Sequence, residues 1–309
     1  MKGILWFLAI SFGLAWAAWE LAIQSGIPVR SLEFQLYALP GAFAPAVASI
    51  IVRRWITREG FGDAGLRPNF SRWRYYLFAW LLPLAVIAAI VLEAMLLGIG
   101  RPDISLGGAA DAIPAYGEMG AEGLGMAIVP QLLLAAIVAT PVLWGEEFGW
   151  RGYLQPRLFN GRPVQAAVAT GVIWAVWHYP LTLRGYNYPD FPILGSMLFM
   201  LFTVLMSYIL GWVYSRSGSI WTTSLAHSAT NSVGSLAYLW LAGSAGPTLV
   251  SYAGLLALPP LILVCGILFW LDRRGASADD RELVREAASG HAVPPRGRFS
   301  SPGSELPIP

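Results

Sequence analysis

Three short stretches of this 309-residue chain hold residue types able to do chemistry: Glu146 and Glu147 followed by Arg151, Trp174 followed by His178, and His227 followed by Asn231. Carboxylates and imidazoles accept and donate protons, and imidazole and amide groups donate hydrogen bonds to developing negative charge. Spacing sorts the groups. Glu147 and Arg151 are four apart and form a helical ion pair in the favoured order. Glu146, one position on, points about 100° away, so its carboxylate is left free for chemistry. Trp174 and His178 share a helix face, as do His227 and Asn231. Three helices can therefore converge on one pocket. Trp174 itself reads as packing, and the Glu147 and Arg151 pair alone could be anchoring by snorkelling.

The elements that carry these groups are set by composition. The chain is 56% hydrophobic and 12% charged, with mean hydropathy +0.57, where a soluble domain carries roughly 25% charged residues. An ordinary soluble enzyme is excluded, and a bilayer is the natural solvent. Long apolar stretches fall at 3–23, 36–53, 75–98, 125–150, 164–181, 192–214, 219–242 and 248–271. The expected fold is therefore all-α, a polytopic transmembrane helix bundle of about eight spans. Ionisable side chains inside a membrane cost about 2.5–3.5 kcal/mol each, so Glu146, His178 and His227 need a reason to be there. Counting about 1.5 Å per residue from the helix ends that carry the basic loops puts them at roughly 15, 22 and 14 Å. Glu20 and Glu93 lie near the opposite helix ends, where water reaches them.

Of the 20 basic residues, 17 fall on one side if both termini are cytosolic; only Arg30, Arg101 and Arg184 lie outside. The outer loop 99–124 carries Asp103, Asp111, Glu118 and Glu122 instead. The chain is thus expected to be an integral multi-pass protein with both ends in the cytosol. Three regions follow: helices one to three with the outer loop (1–124), a catalytic helical core (125–271), and a Pro-, Gly-, Ser- and charge-rich cytosolic tail (272–309) expected to be disordered. A net charge of +2 with scattered basic residues excludes a nucleic-acid footprint. One cysteine, Cys265, permits neither a disulfide framework nor a CxxC metal site. The expected partners are the bilayer and a membrane-associated peptide or protein.

Glu146-Glu147-x-x-x-Arg151, then aromatic-x-x-x-His178, then His227-x-x-x-Asn231, in that order on successive helices, resembles the CPBP family of intramembrane proteases, which includes the type II CAAX prenyl endopeptidases and bacteriocin-processing and immunity-related members. The similarity covers about residues 125–240. One departure is visible: the second motif usually begins with Phe, and here it is Trp174. The resemblance implies a metal-dependent or Glu-dependent endopeptidase in which Glu146 and His178 activate the attacking water. His227 and Asn231 would stabilise the oxyanion, while Glu147, Arg151 and Trp174 support the site. Peptide hydrolysis needs a buried base and donors aimed at developing charge, in agreement with these residue types.

Glu146, His178 and His227 also have the composition of a three-ligand zinc site with an open position for water. There is no HExxH, and a metal-free mechanism uses the same residues, so the sequence leaves zinc open. Two other readings compete: a proton-coupled transporter, with Glu and His as relays, and a non-proteolytic immunity or scaffold member of the same family. The ionisable groups gather in one cluster rather than along a path, and no repeat of the transporter type is evident.

Overall fold

The computed structural model describes residues 1–29, 31–103, 121–242 and 246–288. Two compact units divide it, Met1–Cys265 and Gly266–Pro309. The elements in chain order are α1 (Lys2–Gln24), α2 (Leu32–Ala42), α3 (Ala44–Ile51), α4 (Trp73–Leu96), β1 (Arg101–Pro102), α5 (Ala121–Gly149), α6 (Pro163–Trp177), α7 (Tyr179–Thr182), α8 (Pro192–Ser217), α9 (Ile220–Val233), α10 (Leu236–Leu239), β2 (Leu241–Ala242) and α11 (Leu258–Ala288). The molecule is a polytopic helical bundle; β1 and β2 form only a two-residue antiparallel pairing.

Among the described residues, six helical stretches are long and apolar enough to cross a membrane: Lys2–Gln24, Leu32–Ile56, Phe70–Leu96, Ile128–Arg157, Pro192–Ser217 and Pro247–Arg274. The other two expected spans are helical but short. α6 has 15 residues and α9 has 14, or about 22 and 21 Å against a hydrocarbon core of about 30 Å. Each is continued by a separate turn of helix, α7 after α6 and α10 after α9. The acids expected at 111 and 118 lie outside the described residues. α11 runs on through residues 272–288, the first part of the segment read from sequence as the tail, and residues 289–309 lie outside the described residues. That segment of α11 is rich in Ala and Arg, which have good helix propensity.

Contacts within the first unit group the loops by end. At one end, Arg53 donates to Gly152 O, Arg157 to Asp63, Asn69 to Ser217 O, and the Trp221 indole to Leu66 O. At the other, Arg184 pairs with Glu20, β1 meets β2, and Tyr188 donates to Ala253 O. Within the first unit, these contacts gather the arginine-bearing loops at one end and the loops with Glu20, Tyr188 and the β1–β2 pairing at the other. Close helix approach is made by small residues. A Cβ on Gly149 would lie 2.7 Å from the Pro45 carbonyl carbon, and one on Gly171 would lie 2.8 Å from Thr203 O. The first contact packs α3 against α5 beside the carboxylates. The second packs α8 against α6, where Thr203 also donates to Gly171 O at 2.9 Å.

Candidate active site

Glu146 and Glu147 sit in the last turn of α5, just before a π-helical turn, Trp150–Leu154, that contains Arg151. π turns widen the helix and loosen its backbone bonding. Here the buried Arg53, itself in a π turn (Val52–Ile56), donates to Gly152 O at 2.8 Å. Arg53 also holds Asp63 at 2.7 Å, and Asp63 accepts from Arg157 at 2.9 Å. Burial pushes the Asp63 carboxyl up, but hydrogen bonding and charge from Arg53 and Arg157 outweigh it and hold it below its usual range. This ionic clamp braces the chain on the arginine-rich side of the two carboxylates. The sequence reading did not single out Arg53; its signal was an arginine inside an apolar helical run.

Glu147 and Arg151 form the expected pair at 2.9 Å, and both are fully buried, which rules out snorkelling. Arg151 also donates to Ser207 Oγ at 2.9 Å, tying α5 to α8. His227 does not lie on Glu146 in this arrangement. Its Nδ1 is 2.9 Å from Glu147 Oε1, because Glu147 is the carboxylate turned towards α9. Glu147 therefore accepts from both Arg151 and His227, while its Oε2 is buried without a partner.

Glu146 is 6% exposed. Its Oε2 accepts the Trp174 indole N–H at 2.9 Å. Packing was the expected role of Trp174, and the structure gives it more. Its ring lies under the Arg151 guanidinium at 4.9 Å and meets the His227 ring edge-on at 5.0 Å. A buried indole N–H must find an acceptor, and that requirement was the available signal.

His178 stands where α6 stops. Pro180 has no N–H to continue the ladder, and the Trp177 carbonyl freed at the break accepts the Trp16 indole at 2.9 Å. His178 Nδ1 lies 3.0 Å from Trp174 O. A carbonyl only accepts, so Nδ1 carries the hydrogen and Nε2 is a bare acceptor. Trp19, Trp177 and Phe199 box the ring in, with centroids 5.7, 4.7 and 5.1 Å away. The ring feels the charges of Glu146 and His227. Tyr186, in the loop 183–191, was missed from sequence. Burial and then the Glu146 charge hold its hydroxyl above the usual phenol range, so it belongs to the same neighbourhood.

Asn231 shares the α9 face with His227 but is exposed, and its side-chain amide makes no hydrogen bond among the described residues. Among those residues no group of three or more His, Cys, Asp or Glu is arranged to hold a metal ion. Nδ1 of His178 lies against Trp174 O and Nδ1 of His227 against Glu147 Oε1, so in both rings Nε2 is the nitrogen left for substrate, water or an ion. As a set these groups can hold one carboxylate steady, keep an imidazole within electrostatic reach of it, and hold a compensated buried ion pair next to it in the chain.

Residues 126–233 match the family model of the Rce1-like type II CAAX prenyl endopeptidases. A curated relative, CAAX prenyl protease 2 of Methanococcus maripaludis, is 27% identical over 185 residues, covering 58% of this chain and 64% of that protein. The chain thus spans somewhat under two thirds of the length of this relative. The matched segment runs from near the start of α5 to the end of α9 and contains the two carboxylates, His178, His227 and Asn231. Over that segment the chain is thus similar to the type II CAAX prenyl endopeptidases, in line with the resemblance carried by its ordered motifs.

Proposed function

We propose that the chain is an intramembrane endopeptidase that hydrolyses a peptide bond of a membrane-associated, CAAX-type prenylated substrate with an activated water. The observation that carries this reading is the Trp174 N–H on Glu146 Oε2, which holds the carboxylate within electrostatic reach of the His178 ring. One carboxylate oxygen is committed to the indole, and the other is left to take a proton from water. His178 Nε2 is a second acceptor for the same water. The attacking water adds its oxygen to the scissile carbonyl and gives its proton to Glu146. The proton then passes to the leaving amine as the C–N bond breaks.

Two donors serve the oxyanion. His227 keeps its Nδ1 hydrogen on Glu147, and when Nε2 is also protonated the Glu147 carboxylate balances the imidazolium. Asn231, one turn away on the same face, offers an amide that nothing among the described residues engages. Arg151 and Trp174 fix Glu147 and Glu146 respectively. No step here passes through a metal. The 17-to-3 split of basic residues supports cytosolic termini.

The test is hydrolysis by the purified chain in detergent of a farnesylated peptide ending in CAAX. Release of the terminal tripeptide, with much less from the unprenylated peptide, is expected. No release from either peptide would overturn the reading.

A further inference from the structure

At the arginine-rich end, away from the carboxylates, a cavity of about 550 Å³ opens between the first turn of α4 and the last turns of α8. Its lining is Ser71, Arg72, Trp73, Arg74, Tyr75, Phe78 and Trp212. None of these is acidic. Arg72 and Arg74 form no ion pair among the described residues, whereas Arg53, Arg151 and Arg157 at the same end are all matched to carboxylates. Two uncompensated guanidinium groups thus share the rim of one cavity. Its wall is aromatic: Trp212 meets both Tyr75 and Phe78 at 5.7 Å, and Arg74 stacks on Trp73 at 5.8 Å.

This combination has a physical logic at a membrane surface. Trp and Tyr collect where acyl chains give way to headgroups, and α4 and α8 are both membrane-spanning helices. The cavity therefore sits at headgroup depth, with its charge towards water and Phe78 one turn deeper. We propose that this pocket binds the phosphate headgroup of an anionic phospholipid, with Arg72 and Arg74 on the phosphate and the upper acyl chain along Phe78 and Trp212. Basic pockets between membrane helices commonly hold such headgroups. The site lies outside the proposed peptidase chemistry and does not depend on it.

Binding is read as a shift of the thermal transition of the detergent-purified full chain. Dioctanoyl phosphatidylglycerol, dioctanoyl phosphatidylcholine and inorganic phosphate are titrated separately. Phosphatidylglycerol is expected to raise the transition, with little response to the other two. Arg72→Gln/Arg74→Gln should need about 30-fold more phosphatidylglycerol for the same shift. Arg54→Gln/Arg67→Gln removes the same charge from exposed positions outside the pocket and should behave like the unaltered chain. An equal response to phosphatidylcholine, an equal response to phosphate, or equal weakening in the two double variants would overturn the proposal. If Arg72→Gln/Arg74→Gln is itself unstable without lipid, Arg72→Lys/Arg74→Lys takes its place. It must keep most of the phosphatidylglycerol response, and a lost response sinks the idea.

Discussion

At the residue scale, two adjacent carboxylates have opposite obligations. Glu147 is buried between Arg151 and His227, so removing its charge leaves a buried arginine uncompensated. Breaking such a pair costs about 3–5 kcal/mol, and Glu147→Gln should lower the thermal or denaturant stability of the purified chain by that order. Trp174 acts on the other carboxylate through one hydrogen bond. Trp174→Phe keeps the ring and the family's usual residue type but deletes the donor. A bond to a charged group is worth about 1.5–3 kcal/mol, so kcat should fall about tenfold or more. The transition temperature should move little, and measuring both on one preparation checks the assignment. The Glu147 and Arg151 pair was legible from four-residue spacing alone. That His227 pairs with Glu147 rather than standing over Glu146 was not. Helix periodicity says which residues share a face, but the partner across the gap depends on how α9 packs on α5.

At the element scale, the site is held by interruptions as much as by helices. α6 ends at His178 because Pro180 follows, a signal present in the sequence, and the break places an imidazole where a continuous helix would carry it past the pocket. The π turn after Glu147 is different. No residue in Trp150–Leu154 marks a wider turn, and the turn is matched by Arg53 from a segment 99 residues earlier. Asp63 locks that arrangement, and its folded-state carboxyl lies below the ordinary value of 3.8. Its contribution is therefore full above that value and is lost as pH falls through the lower, folded-state value. The chain should lose stability on acidification below about pH 4. Asp63→Asn should be less stable at pH 6 and show a shallower loss over the same acid window, as measured by thermal unfolding across pH.

At the scale of the whole molecule, apolar content and run length identified a membrane bundle because a bilayer tolerates little else. Of the eight apolar runs expected, six are helices long enough to cross a membrane among the described residues, whereas α6 and α9 fall short of full membrane thickness. Both carry the histidines, and their polar residues and breaks are what shorten them. Basic-residue bias sets the expected orientation. Reporter fusions after Arg74 and within 103–122 should report opposite sides, with the former cytosolic; a common side for both would remove the alternating order. The account stands most directly on Glu146 as the base. Purified Glu146→Gln should keep its thermal transition while its rate of prenylated-peptide hydrolysis falls about 10²–10⁴-fold. Near-normal turnover by that folded variant would contradict the account.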